Sequence, residues 1–199
     1  DWKDKGLFAY YGAGWNDNQK PFEEGKVAFW IGSSGSFGGL QKTATMPFSA
    51  TFLPYWGSIK GAGTNSFIGG AALFAMSGKS EAENKCVADF FQFLTSPEIQ
   101  VFYHKATGYV AITKAAYEKA KAEGFYKEKP VAEVGIQQLS LPGGEWSKGY
   151  RLGFYPQIRA VMEREYNRIF SGEVTPKAAF DIIEKEGNDL LARFAKTAG

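Results

Sequence analysis

Hydrophobic and polar positions along this chain follow two different periods. Val27, Phe29 and Ile31 alternate with Ala28 and Trp30 and the run stops at Gly32, which predicts a short β-strand. "FSATFLPYWG" (48–57) predicts a second strand, halted at Pro54. "FIGGAALFAM" (67–76) is almost continuously apolar, with a glycine pair near its start, and suits a buried strand that something approaches closely.

From residue 80 onward the period is helical. Ser80 and Glu83 form a capping box ahead of Val87, Phe90, Phe91 and Leu94, a stripe expected to face the core. Ser96 and Pro97 open a second helix that Gly108 closes. Thr113 and Gly124 punctuate a third. Ile158, Val161, Met162, Ile169 and Phe170 mark a fourth, and Thr175-Pro176 starts a last one with Phe180, Ile183, Leu190, Leu191 and Phe194 on its buried side. Residues 125–156 read as a Pro/Gly-rich connection, long enough to carry function. Early strands and late helices predict an α/β fold.

Composition narrows the function. The chain has 199 residues with a formal net charge of +2, and lysines are interleaved with acids, so no basic face argues for nucleic acid. Cys86 is the sole cysteine, which excludes an internal disulfide and the usual zinc spacings. No apolar run approaches the roughly 20 residues of a membrane span. The opening "DWKDKGLFAYYGAG" reads as a helix end running into a strand, so we expect a piece of a longer protein. Seventeen Phe, ten Tyr and five Trp supply flat walls of the kind that line clefts, or simply a Phe-rich core.

Most chemistries fail on spacing. The glycine-serine turn "GSSGSFGG" lacks the Gly-Lys-Ser/Thr ending of a phosphate loop, the dinucleotide fingerprint and the Gly-x-Ser-x-Gly elbow of serine hydrolases. His104, the only histidine, lies within a predicted helix, where a surface or structural role is commoner than a catalytic one. Glu23/Glu24 and Glu163/Glu165 are too close in sequence to face one another and read as solvated charges. No residue is expected to be catalytic, no metal ligand stands out, and no cofactor is implied. A binding site asks for less. The serines after a strand offer donors, Tyr109 follows the helix-ending Gly108, and Arg151 and Arg159 flank "LGFYPQI", where a guanidinium can hold an anion or merely form a surface ion pair. The residues alone leave binding and a structural role both open.

Several segments taken in order resemble the extracellular solute-binding proteins of ABC importers, and among them the glycerol-3-phosphate branch. They are "FEEGKVAFWIGSSGS", "FIGGAALFAM", "VADFFQFLTSPEIQVFYHKATGYVAITKAAYE" and "KGYRLGFYPQIRAVMEREYNRIFSGEVTPKAAFD". The resemblance covers almost the whole chain but only the C-terminal half of such a protein. It implies a type II periplasmic-binding-protein-like fold of two α/β lobes that close over ligand. Residues 1–66 would belong to one lobe, 67–112 would cross into the other, and 113–199 would return with the C-terminal helices. It further implies a non-enzymatic receptor, periplasmic or lipid-anchored at the cell surface. That receptor would take glycerol-3-phosphate or a glycerophosphodiester and deliver it to ABC permease membrane subunits, with the N-terminal half of the same protein as an intramolecular partner.

Carried over motif by motif, the ligand contacts are Ser33, Ser34 and Ser36, Gly70, Tyr109 and Arg159, with Arg151 as a neighbour. Three departures bear on the ligand. Ala72 stands where the family pattern "GGAS" has serine, Val110-Ala111 replace Leu-Pro in "TGYLPITK", and Phe154-Tyr155 replace Asn-Met in "LGNMPQIR". The added aromatic surface would suit a larger head group such as choline. Three alternatives remain open: a sugar or oligosaccharide receptor of the same fold, an enzyme whose catalytic groups lie in the N-terminal half, and a purely structural half.

Overall fold

A computed structural model describes residues 1–14, 16–143, 149 and 151–197. The helices run in chain order α1 (Gln19–Glu23), α2 (Phe37–Thr43), α3 (Glu81–Leu94), α4 (Pro97–Thr107), α5 (Lys114–Ala122), α6 (Phe125–Glu128), α7 (Val134–Ser140), α8 (Tyr155–Ser171) and α9 (Pro176–Thr197), with 3-10 turns at Ser34–Ser36 and Pro130–Glu133. They fall into two compact units. One comprises residues 1–22 with 150–199, the other residues 23–149.

Helix boundaries follow the caps. Ser80 accepts from the Glu83 amide while the Glu83 carboxylate accepts from the Ser80 amide, which starts α3. Pro97 opens α4 and Gly108, left-handed at φ 89°, ends it. Thr113 accepts from the Ala116 amide at the start of α5.

In the unit of residues 23–149 the core is built by α4 to α7. Val101, Ala116, Ala120, Phe125, Tyr126 and Ala132 are buried together, and Phe37, Ala111, Tyr117 and Ile136 pack against them. Ala116 and Ala120 have no exposed surface; small side chains one turn apart let α5 lie close against its neighbours. The half of the 125–156 connection expected to be irregular is therefore helical from 125 to 140. Phe125, Tyr126, Ala132 and Gln138 face inward there, and burial of those side chains overrides the local Pro/Gly signal. Residues 144–148 and 150 of that connection lie outside the described residues, among them Lys148 and Tyr150 of "KGYRLGFYPQIR". Gln138 acts as a side-chain substitute for a paired strand: its Oε1 accepts from the Leu53 amide at 3.0 Å, and its Nε2 donates to the carbonyls of Leu53 and Thr64. Beside that clamp Phe52, Leu53, Pro54, Tyr55, Thr64 and Leu141 line a shallow pocket.

The other unit is a helical hairpin. Tyr166 meets Phe180 edge to face at 6.3 Å, Ile158 lies near Gly187, and Phe154 meets Phe194 at 5.4 Å. Rising residue numbers on α8 thus pair with falling ones on α9, the antiparallel arrangement a four-residue connection favours. Residues 8–10 lie along the end of α8, with the Tyr10 ring stacked on Phe170 at 4.3 Å.

Three expectations need correction. Among the described residues none of the segments 27–31, 48–57 and 67–76 forms a strand, because a strand exists only through ladder bonds to a neighbour and none is paired here. Their side chains are correspondingly open: Phe29 is 92% and Phe74 84% exposed. The stripe on α3 is not core either; Phe90 is exposed, and Val87, Phe91 and Leu94 are only half-buried. Finally, Glu165 is not a solvated charge. It is fully buried, with Arg164 Nε at 2.7 Å from one carboxylate oxygen and Arg168 at 2.8 Å from the other.

Candidate functional site

The serine turn begins where Ser33, in extended conformation, accepts from the Gly35 amide at 3.2 Å and starts the Ser34–Ser36 turn that runs into α2. The Ser34 and Ser36 hydroxyls make no hydrogen bond among the described residues, and Ser33 and Ser34 are exposed. Behind them the turn is fixed by close backbone packing. A Cβ on Gly108 would stand 2.4 Å from the Ser34 carbonyl oxygen, and one on Gly135 would stand 3.3 Å from Ser34 Cβ. The start of α7 and the end of α4 therefore both press on this turn.

Tyr109 projects from the α4 terminus over it. A Cβ on Gly35 would lie 2.7 Å from Tyr109 Cε2, and one on Gly70 would lie 3.7 Å from Cε1 on the other ring edge. One phenol ring thus touches both the serine turn and Gly70, whose φ of 124° is open to glycine and strained for other residues. Tyr103 flanks the ring at 5.7 Å. Five of the expected contacts, Ser33, Ser34, Ser36, Gly70 and Tyr109, are gathered in the unit of residues 23–149.

Arg151 and Arg159 belong to the other unit. Arg159, on the first turns of α8, donates from Nε to Glu163 at 2.8 Å and is 54% exposed. A pair so exposed contributes at most about 1 kcal/mol. Arg151 is exposed ahead of the same helix. Between them, the residues that differ from the family pattern have a definite geometry. Phe154 caps α8 in the left-handed region at φ 50°, held against Phe194 and under the Arg193 guanidinium 6.0 Å from its ring centre. An added Cβ on Gly153 would stand 2.1 Å from the Phe194 ring.

Sequence reasoning missed the groups behind Tyr109. His104 is 1% exposed, and its Nδ1 lies 2.6 Å from the Tyr109 carbonyl oxygen while its Nε2 lies 3.1 Å from the Tyr126 hydroxyl. Burial pushes its pKa below the ordinary 6.5, against the pull of the Tyr109 carbonyl. Burial also pushes Tyr126 up to about 12, so that hydroxyl keeps its proton. Tyr117, beside it, is raised to about 12 mainly by donating to Glu133 at 2.6 Å. The signal available in the sequence was the spacing His104–Gly108–Tyr109 around a helix end; the partner Tyr126 is a tertiary contact.

Hydroxyls, an open glycine and a phenol thus meet around one turn. Among the described residues no group of three or more His, Cys, Asp or Glu is placed to hold a metal, and no helix is long and apolar enough to cross a membrane. Residues 1–133 match the family described as bacterial extracellular solute-binding protein, and the chain belongs to that family. It is 41% identical over 195 residues to the sn-glycerol-3-phosphate-binding periplasmic protein UgpB of Yersinia pseudotuberculosis, covering 98% of this chain and 44% of that protein. Identity to the protein of the same name from Pectobacterium atrosepticum is 40% over 198 residues, covering 99% and 44%. The chain thus spans about 44% of the length of these curated relatives. Its fold is also that of UgpB from Mycobacterium tuberculosis, solved in complex with glycerophosphocholine: the TM-score is 0.74 at 24% identity, over 87% of this chain and 42% of the other.

Proposed function

We propose that this chain supplies part of the ligand cleft of an ABC-importer solute-binding protein, acting outside the cytoplasm on glycerol-3-phosphate or a glycerophosphodiester. The observation that carries the reading is the meeting of Ser33–Ser36, Gly70 and Tyr109 around a single ring, although they lie up to 76 residues apart in sequence. Open hydroxyls and a turn rich in backbone N–H groups suit phosphate or glycerol oxygens. In this reading Arg159, with Arg151 nearby, balances the ligand's negative charge. The names of the relatives and the glycerophosphocholine complex of the structural neighbour favour this ligand class over neutral sugars.

In the intact protein this chain contributes to both lobes. The N-terminal half completes both lobes, and the apolar segments that form no strand here find strand partners in it. The receptor performs no turnover and hands its ligand to membrane permease subunits.

The test is a thermal-shift and calorimetric screen of the intact protein with glycerol-3-phosphate, glycerophosphocholine, maltose and trehalose. Either phosphate compound is expected to raise Tm and be recovered unchanged, since ligand at 100 times Kd stabilises by about 2.7 kcal/mol. Arg159→Ala is expected to abolish that shift. A response to the sugars alone, or hydrolysis of the diester, overturns the reading.

A further inference from the structure

His104 has no part in the ligand surface as read from the sequence, yet among the described residues it is one of the two largest fully buried side chains, and both ring nitrogens are committed. The direction of those bonds is fixed by chemistry. A carbonyl can only accept, so the 2.6 Å contact to the Tyr109 oxygen requires the proton on Nδ1. Nε2 of the neutral ring then accepts from the Tyr126 hydroxyl at 3.1 Å. The same residue also closes its helix, because the Gly108 amide donates to the His104 carbonyl at 2.8 Å. On the other side, the Tyr109 amide donates to the Thr107 hydroxyl at 3.1 Å. Tyr109 is therefore held by its own N–H and by its own C=O, and from that anchored backbone its ring lies over Gly35 toward Gly70.

The geometry points to His104 as the positioning residue of the ligand site: its Nδ1–H clamps the Tyr109 carbonyl, and Tyr126 locks the imidazole from behind, so that the tyrosine ring is preset against the serine turn before ligand arrives. The inference rests on the reading that Tyr109 lines that site. A preset ring spares the ligand the cost of ordering it, which for one aromatic side chain and its loop is about 0.5–1.5 kcal/mol, or roughly a 2- to 13-fold change in Kd. His104 itself touches no ligand. It is too deeply buried, and both its nitrogens are occupied, so it acts only through Tyr109.

Two amides separate this role from plain core filling. The Asn amide nitrogen stands where Nδ1 stands and can still donate to the Tyr109 carbonyl. The Gln amide reaches the Nε2 position instead, and so keeps Tyr126 but releases Tyr109. In the intact protein, titrated calorimetrically with glycerophosphocholine, His104→Gln is expected to weaken binding about tenfold. His104→Asn is expected to stay within about threefold of wild type, although it is the smaller side chain and leaves the larger void. A merely structural histidine would give the opposite order, or equal Kd values once both variants are folded, and either result overturns the positioning role. Tyr109→Ala is the control: if it binds as wild type, the site reading falls, whereas a weak Tyr109→Ala beside an unaffected His104→Gln sinks the clamp alone. The tautomer is checked on the wild-type protein by long-range 1H–15N correlation, independently of how any variant folds. The Nδ1–H form is expected, and an Nε2–H form would remove the donor and end the proposal.

Discussion

Gly35 lies within the serine turn and Gly108 packs behind it; what a Cβ on each would strike differs, and so do the consequences of substituting them. An alanine Cβ at Gly35 would meet the far edge of the Tyr109 ring at 2.7 Å, and a side chain can swing away. Gly35→Ala is expected to leave Tm within a few degrees of wild type and to weaken glycerophosphocholine binding about tenfold, read by calorimetry. At Gly108 the obstacle is the Ser34 carbonyl at 2.4 Å, and φ is 89°. Gly108→Ala must move backbone and is expected to cost about 2 kcal/mol or more in urea unfolding. His104 adds a pH dependence. Its folded pKa is lowered by burial, with Lys105 pushing the same way, while Phe125 and Tyr126 pack against its ring. The unfolded chain therefore binds the proton more readily. The contribution is whole above pH 6.5 and is lost as pH falls from there through the lowered folded value. The stability of the intact protein is expected to decline with acidity across that window, and His104→Asn to flatten the decline. An unchanged slope in that variant would assign the effect to other groups.

At the scale of elements, the hairpin of α8 and α9 depends on a charge cluster. Glu165 is fully buried between Arg164 and Arg168, and Arg164 also reaches Glu186 on α9 at 2.8 Å. Removing the carboxylate leaves two guanidinium groups around a void. The full penalty for orphaning a buried pair is about 3–5 kcal/mol, but both arginines reach solvent, so Glu165→Ala is expected to cost about 2–3 kcal/mol in urea unfolding. Glu165→Gln, which keeps the volume and one acceptor, is expected to cost less. The helices themselves were legible in the sequence because their determinants are local: Ser80 with Glu83, Pro97 with Gly108, and Thr113 with Gly124 lie within one element each. The burial of Glu165 is not legible from spacing, because adjacent charges report their own pairing but not the packing that removes them from water. Segment 27–31 has a strand's alternation, but a ladder is a property of two segments and alternation reports only one. The same division holds for the site. Ser33, Ser34 and Tyr109 lie in short motifs that a local pattern displays, whereas His104–Tyr126 and Gln138–Leu53 are pairings across 22 and 85 residues that no local pattern displays.

For the molecule as a whole, the informative quantity is the apolar surface left open. Phe29, Ile31, Phe67, Ile68, Leu73, Phe74 and Met76 are each more than half exposed, and they fall in the segments whose spacing called for buried strands. Residue types and exposure disagree there. A contiguous chain rich in large apolar side chains is unfavourable in water by roughly 25 cal/mol per Å². The reading proposed above resolves the disagreement physically: an N-terminal half would lay strands against these segments and bury them. Residues 1–199 produced alone are then expected to bind the dye ANS with several-fold higher fluorescence than the intact protein and to associate as concentration rises in sedimentation. Adding the N-terminal half in trans should reduce both signals together. Equal dye binding by the isolated chain and the intact protein would mean that these side chains stay in water in both, and the strands expected at 27–31 and 67–76 would then have no partner to form with.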